Sequence, residues 1–273
     1  MLRPLPLAIA FRYLRVRRRS RFVSVVAAVA VGGVTLAVAA LIVVLSVMNG
    51  MQGIITNRIL AVSTQVAITA PQGQALADPA ALAQRAGKAP GVLASAPYAE
   101  SEVVLGHGGA LAGARLRGIA PGKEGKVSTL GAHMLVGSLD ALAHERYGIV
   151  LGRDLALRLN VFPGDKIAVI MPRGLVTPVG FVPRMRRFTV VGVFEAGLVR
   201  SPSTLAVTSL AAAERLFGIG GPSGLRLKLA DPLRASVVAG KLRAALPPGL
   251  TVSTWEAIHR SLFQALANEQ RML

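Results

Sequence analysis

The chain contains no cysteine, so neither a disulfide framework nor thiolate chemistry is open to it, and an oxidising compartment is permitted without being indicated. Acidic residues are scarce, with 13 Asp and Glu against 31 Lys and Arg, and the first of them is Asp78. Carboxylates this few and scattered suggest no catalytic pair. The four histidines, His107, His133, His144 and His259, lack metal-ligand spacing such as HExxH and read as surface or hairpin residues, so no metal site is expected. There is no Walker A pattern and no GxSxG, which leaves ATP and acyl-bond hydrolysis without a motif. Gly106-His107-Gly108-Gly109 is rich in glycine, but strand-like sequence flanks it on both sides, whereas a phosphate loop joins a strand to a helix. Only 16% of residues are charged despite a net charge of +18, less than a nucleic-acid binder usually carries.

What is present begins with an asymmetry. Arg3, Arg12, Arg15, Arg17, Arg18, Arg19 and Arg21 crowd the amino terminus, and then Phe22 to Asn57 carries no charge at all. Phe22–Met48 as a helix would reach about 40 Å at ~1.5 Å per residue, enough to cross a bilayer with tilt. The positive-inside bias places residues 1–21 in the cytoplasm and the bulk of the chain on the far side. A cleaved signal peptide would have an apolar region of about 7–15 residues, shorter than this one, and a buried core helix is seldom so long and free of charge. Leu7, Phe11, Leu14 and Phe22 fall near one helical face and Arg12, Arg15 and Arg19 on another, as in an interfacial helix under anionic headgroups. Ala28, Gly32, Gly33, Ala37 and Ala40 recur near helical spacing, which fits either close helix packing in lipid or simply an alanine-rich chain.

Beyond the anchor, short strands alternate with short helices. Gln65–Thr69 reads as a strand, and Asp78-Pro79 as an N-cap and first helical residue opening a helix to about Lys88. Glu100–Leu105 and Ala114–Ile119 read as a hairpin around Gly106–Gly113. Pro163-Gly164-Asp165 turns into a strand Lys166–Met171, whose partner Arg187–Phe194 lies across a long loop. Leu205–Val207 leads into a helix capped by Ser209 and stopped at Gly218. Gly224–Leu229, a helix from Asp231-Pro232, and Leu250–Ser253 then give strand, helix, strand. Thr254–Leu273 is helical, with Trp255, Ile258, Leu262, Leu266 and Met272 roughly on one face. The order fits an α+β fold with helices against a mixed sheet.

The run from Arg21-Phe22-Val23-Ser24 to Ser46-Val47-Met48-Asn49-Gly50 resembles the first transmembrane segment of the lipoprotein-releasing ABC transporter permeases, the LolC/LolE family. Leu116-Arg117-Gly118-Ile119, Gly137-Ser138-Leu139, Gly148-Ile149-Val150-Leu151-Gly152, Gly164-Asp165-Lys166 and Arg187-Phe188-Thr189-Val190-Val191-Gly192 are similar to its periplasmic blocks, so the likeness covers essentially the whole chain. Thr177-Pro178-Val179-Gly180-Phe181-Val182-Pro183-Arg184-Met185-Arg186-Arg187-Phe188 resembles the LolC-type hook that receives the periplasmic chaperone. In a departure from many relatives, Leu198–Ser203 holds neither Tyr nor Asp.

This resemblance implies a MacB-like periplasmic core: one N-terminal transmembrane helix, then a porter-like α+β domain over 49–260 with an inserted β-rich part, Leu130–Thr204. Residues 261–273 would lead to a second transmembrane helix. It implies a non-catalytic permease of the bacterial inner membrane, with ATP and Mg belonging to a LolD-like ATPase partner and no cofactor in this chain. The other partners implied are a second permease copy or LolE-like paralogue, a LolA-like chaperone, lipoprotein substrates and membrane lipids, with no nucleic acid. Thr177, Pro178, Gly180, Pro183, Arg184, Met185, Arg186 and Arg187 would form the hook, and Val43, Val44, Val47 and Met48 would touch lipoprotein acyl chains. Prolines 172, 178 and 183 restrict the backbone of that loop, and Arg173, Arg184, Arg186 and Arg187 offer charge-assisted hydrogen bonds. Another ABC permease of the same architecture, for efflux or signalling, and a single-span anchored binding domain are the other classes the residues allow.

Overall fold

The computed structural model describes residues 21–62, 64–177, 180–195 and 204–258, and the chain divides between Thr56 and Asn57 into two units. Helix α1, Arg21–Val62, has no proline and carries no charge between Arg21 and Arg58, so no proline breaks it. Its stretch Val25–Ser46 is long and apolar enough to cross a membrane, and its large apolar side chains, Val29 and Leu36 among them, stand exposed along it. Thr35 turns its hydroxyl back onto the Val31 carbonyl at 2.7 Å, leaving no polar group of that side chain unpaired. The interfacial helix expected before Arg21 and the face carrying Leu262, Leu266 and Met272 lie outside the described residues.

The second unit is built on one mixed sheet of ten strands among the described residues: β1 Val66–Thr69, β2 Val92–His107, β3 Ala110–Ile119, β4 Met134–Gly137, β5 Gly148–Gly152, β6 Lys166–Thr177, β7 Gly180–Phe194, β8 Leu205–Ser209, β9 Gly224–Leu229 and β10 Thr251–Thr254. Neighbours run β10-β1-β9-β2-β3-β8-β5-β7-β4, while β6 bonds to both β7 and β2. The last two pairings close a ring of six strands, β2-β3-β8-β5-β7-β6 and back to β2. Closure removes the open edges that β2 and β6 would otherwise present. β3 with β8 and β5 with β7 are parallel, and the other pairs are antiparallel. Strands β2, β3 and β8 complete the ring from outside Leu130–Thr204.

Period-two alternation decides which side chains share a core. Val103, Leu105, Leu116, Ile149, Leu151, Ile167, Val169, Phe188, Val190 and Ala206 form one buried cluster. The intervening Val150, Leu205 and Val207 point the other way and pack with Ile119, Leu130, Leu142 and Phe194. Because β5 is covered on both faces, Gly148–Gly152 reads as an unbroken buried run without alternation. Helix α2, Pro79–Gly87, opens with Asp78 accepting from the Ala81 amide at 2.8 Å, as its Asp-Pro sequence predicts. α3 spans Pro121–Val127, α4 Arg153–Leu159, α5 Leu210–Phe217 and α6 Ala235–Ala245. α2 and α6 cover one face of the four-stranded end of the sheet, where Ile68, Leu225, Leu227, Val252 and Trp255 are buried.

α4 and α5 pack near opposite ends of β3. The Leu159 carbonyl of α4 lies 3.3 Å from His107 Nδ1, beside the Gly108-Gly109 turn. At the other end α5 lies directly on Gly118, where an added Cβ would fall 2.3 Å from that of Ala213 and 3.2 Å from the Leu210 Cα. Gly118→Val should therefore push α5 off β3, an overpacking change that costs about 1–3 kcal/mol or more. A denaturant titration followed by the fluorescence of Trp255, the sole tryptophan, should show the lower midpoint.

Candidate functional site

The long loop expected between two strands is largely strand instead. β6 and β7 continue past the ring as a two-stranded ribbon, pairing Met171 with Arg184, then Leu175 with Val182, Val176 with Phe181 and Thr177 with Gly180. Register shifts between Met171 and Leu175. The irregularity falls where Pro172 on one strand and Pro183 on the other provide no N–H to the ladder. The prolines thus mark a kink in a paired ribbon, and backbone hydrogen bonds supply the order that a loop would have lacked.

The structure distributes the expected hook residues unevenly. Thr177 and Gly180 sit at the outer end of the ribbon as paired backbone, and Pro178 lies outside the described residues. Pro183, Met185, Arg186 and Arg187 are exposed, whereas Arg184 is only half-exposed, with its guanidinium against Gly218. Of the expected acyl-chain contacts, Val43 and Val44 are exposed on α1, and the side chains of Val47 and Met48 lie outside the described ones.

A polar cluster at the root of the ribbon was not foreseen from the sequence. Glu100 on β2 faces Arg117 on β3 directly across the ladder, and Arg117 Nε donates to Glu100 Oε2 at 2.6 Å. Arg115 stands 3.7 Å from the other carboxylate oxygen. Glu100, Ser101, Glu102, Arg115 and Pro172 line an open cleft of about 350 Å³. Deeper in, Arg226 of β9 pairs with Glu124 of α3, and both are almost wholly buried. The Arg226 guanidinium also lies 5.8 Å from the centre of the Tyr98 ring. Alternation could have put Glu100 and Arg117 on outward positions, but their pairing needs the β2-β3 register, which no single segment encodes.

Electrostatics follow from this crowding. Burial pushes the Tyr98 phenol up to about 12, helped by Glu100 and opposed by Arg117 and Arg226. Burial alone would raise the Glu100 carboxyl, but the charge and hydrogen bond of Arg117, with Arg115 behind, outweigh it and hold it below its ordinary range. For Arg226, burial and the neighbouring Arg117 lower its proton affinity, and Glu124 works against them.

A helix long and apolar enough to cross a membrane, followed by an α+β unit with a ring of strands and a protruding ribbon, defines the class by its fold, and no His, Cys, Asp or Glu group that could hold a metal is found among the described residues. The family model for the MacB-like periplasmic core domain matches residues 27–245, more than half of the chain, and the chain belongs to that family. Within it the chain is LolC/LolE-like, as the sequence resemblance implied. It is 38% identical over 273 residues to the lipoprotein-releasing system transmembrane protein LolC of Xylella fastidiosa, covering 100% of this chain and 66% of that protein. It therefore spans just under two thirds of that relative's length. The LolE of Haemophilus influenzae is 29% identical over 176 residues, 61% of this chain and 40% of the relative. The periplasmic region of MacB from Actinobacillus actinomycetemcomitans superposes with a TM-score of 0.44 at 15% identity, over 75% of this chain and 95% of that one.

Because its carboxyl is held low, Glu100 contributes stability that is complete above its ordinary 4.5 and is lost as pH falls through the lower folded value. Acid titration of unfolding midpoints should show a decline below pH 4.5 that is shallower in Glu100→Gln. An equal slope in the two proteins would assign the acid sensitivity to other carboxylates.

Proposed function

We propose that this chain is part of the permease subunit of an ABC transporter that extracts lipoproteins from the inner membrane and passes them to a soluble periplasmic carrier. One observation carries the reading: a likeness to lipoprotein-releasing LolC runs through the entire chain, including the segment that forms the protruding ribbon. On this reading the chain performs no catalysis, and a LolD-like ATPase partner, with its ATP and Mg, supplies the energy. A second permease copy or a LolE-like paralogue completes the membrane part. Val43, Val44, Val47 and Met48 would face lipoprotein acyl chains, since an apolar wall leaves no polar group unsatisfied in lipid. The division of 49–260 into a porter-like part and an insertion at 130–204 belongs to the same proposal.

The arginine-rich start, followed by an uncharged helix, supports a cytoplasmic amino terminus and a periplasmic second unit. Protease added to intact spheroplasts should then digest the chain beyond residue 57, and full protection would reverse the orientation.

The exposed cations of β7 in the ring, just below the ribbon, support docking of the LolA-like carrier. Met185, Arg186 and Arg187 offer apolar surface and guanidinium donors on a backbone already ordered by pairing, which lowers the entropy lost on binding. Arg186→Ala with Arg187→Ala should weaken carrier binding by more than the ~0–1 kcal/mol of an exposed ion pair, while thermal stability shifts by only about 0.5 kcal/mol. A binding titration of the full chain in detergent checks this. Unchanged affinity would turn the preference to another ABC permease of the same architecture.

A further inference from the structure

Beyond the ring, β6 and β7 pair only with each other. A two-stranded ribbon is marginally stable alone and twists strongly, so its direction has to be set where it leaves the ring. That exit is the pair Met171 and Arg184. Arg184 stands an even number of residues from Arg186, Phe188 and Val190, in unbroken register with β6, on a face of β7 that is exposed at Arg186 and becomes buried from Phe188 onward. Its guanidinium fills the space beside Gly218, the residue at which α5 ends. A Cβ added to Gly218 would overlap that guanidinium.

Two features make Gly218 a seat. Its φ of +69° is a left-handed conformation that L side chains rarely adopt, and the missing side chain leaves room for a planar group. The C-terminal end of a helix also carries partial negative charge, which favours a cation there. At this end the Glu214 carbonyl takes the Gly218 and Ile219 amides, so the chain turns tightly and brings the glycine out under the arginine. Lys would match the charge but not the flat shape.

We propose that Arg184 is a positioning residue: seated on Gly218, it latches the root of the β6–β7 ribbon to the end of α5 and fixes the angle at which the ribbon projects. This goes beyond carrier docking and does not depend on it, because the latch is a property of the chain alone. It also removes Arg184 from the free docking cations and leaves that part to Arg186 and Arg187.

The absence of cysteine makes the full chain, in detergent or lipid nanodiscs, a ready background for paired spin labels. One pair, at Thr177→Cys and Leu157→Cys, reports the outer end of the ribbon against α4. A control pair, at Leu157→Cys and Leu233→Cys, reports two exposed positions away from the ribbon. In Arg184→Ala and in Gly218→Ala the ribbon distance distribution should roughly double in width, as for a ribbon held only by its own pairing. The control distribution should stay unchanged, and Arg184→Lys should restore the width only in part. If Gly218→Ala does not fold, Arg184→Ala alone decides. A ribbon distribution as narrow as in the parent chain would overturn the proposal. So would equal broadening of both pairs, which would make Arg184 a general stabiliser rather than a positioning residue.

Discussion

Val92–His107 is asked to bond in two parts of one sheet at once, the four-stranded end and the ring, and the architecture of the second unit follows from how it does so. Its first half pairs with β9 in the four-stranded end, and its second half pairs with β3 and, over Val104–Gly106, with β6. A single strand of this length cannot lie flat across both, because strands twist and each partner needs its own register. Sharing β2 makes the ring and the four-stranded end one continuous hydrogen-bonded body, so a displacement of one is carried to the other through backbone rather than through side-chain packing.

Where β2 changes partners, the structure places charge in its interior. Glu100 with Arg117 and Glu124 with Arg226 cluster around Tyr98, at the seam between the two arrangements of strands. Removing Arg226 from water is costly, and its Nε finds no hydrogen-bond partner among the described residues. Ion pairs of this kind contribute little net stability but tolerate few alternative geometries, since either partner alone would be a stranded buried charge. α3 is held over the seam by Glu124, which ties the connection after β3 to a strand more than a hundred residues later.

Among the described residues, the apolar helix and the base of the ribbon both expose apolar side chains. α1 shows valine and leucine along its length, which lipid would cover, and β7 just below the ribbon shows Met185 and two arginines on a paired backbone. Both have their backbones ordered by hydrogen bonds, within the helix and along the strand ladder, which suits surfaces meant for another molecule. The ring beneath the ribbon, with Phe188 and Ile167 packed inside it, gives the projection a rigid base.

The amino-acid sequence by itself determined the features that act over a few residues: the uncharged helix, the Asp78-Pro79 start, the Ser209 cap and Gly218 stop of α5, the strand Gly224–Leu229, and the family likeness. Hydrophobic period, capping groups and glycine conformation are local physics and can be read one segment at a time. Short helices such as Pro121–Val127 and Arg153–Leu159 escaped, because two turns carry little periodicity and are held by tertiary contacts. The stretch around Thr177–Arg187 read as a loop because its prolines and glycines mark turns, while the pairing that makes it a ribbon comes from register inherited from the ring. Arg184 shows the same limit. Its alternation with exposed Arg186 gave no sign of an inward side chain, and only the fold brings Gly218, 34 residues later, to the place where the guanidinium rests. Ring closure by β2 and β6 was likewise a tertiary decision, since it joins strands some 65 residues apart through hydrogen bonds that no local pattern specifies.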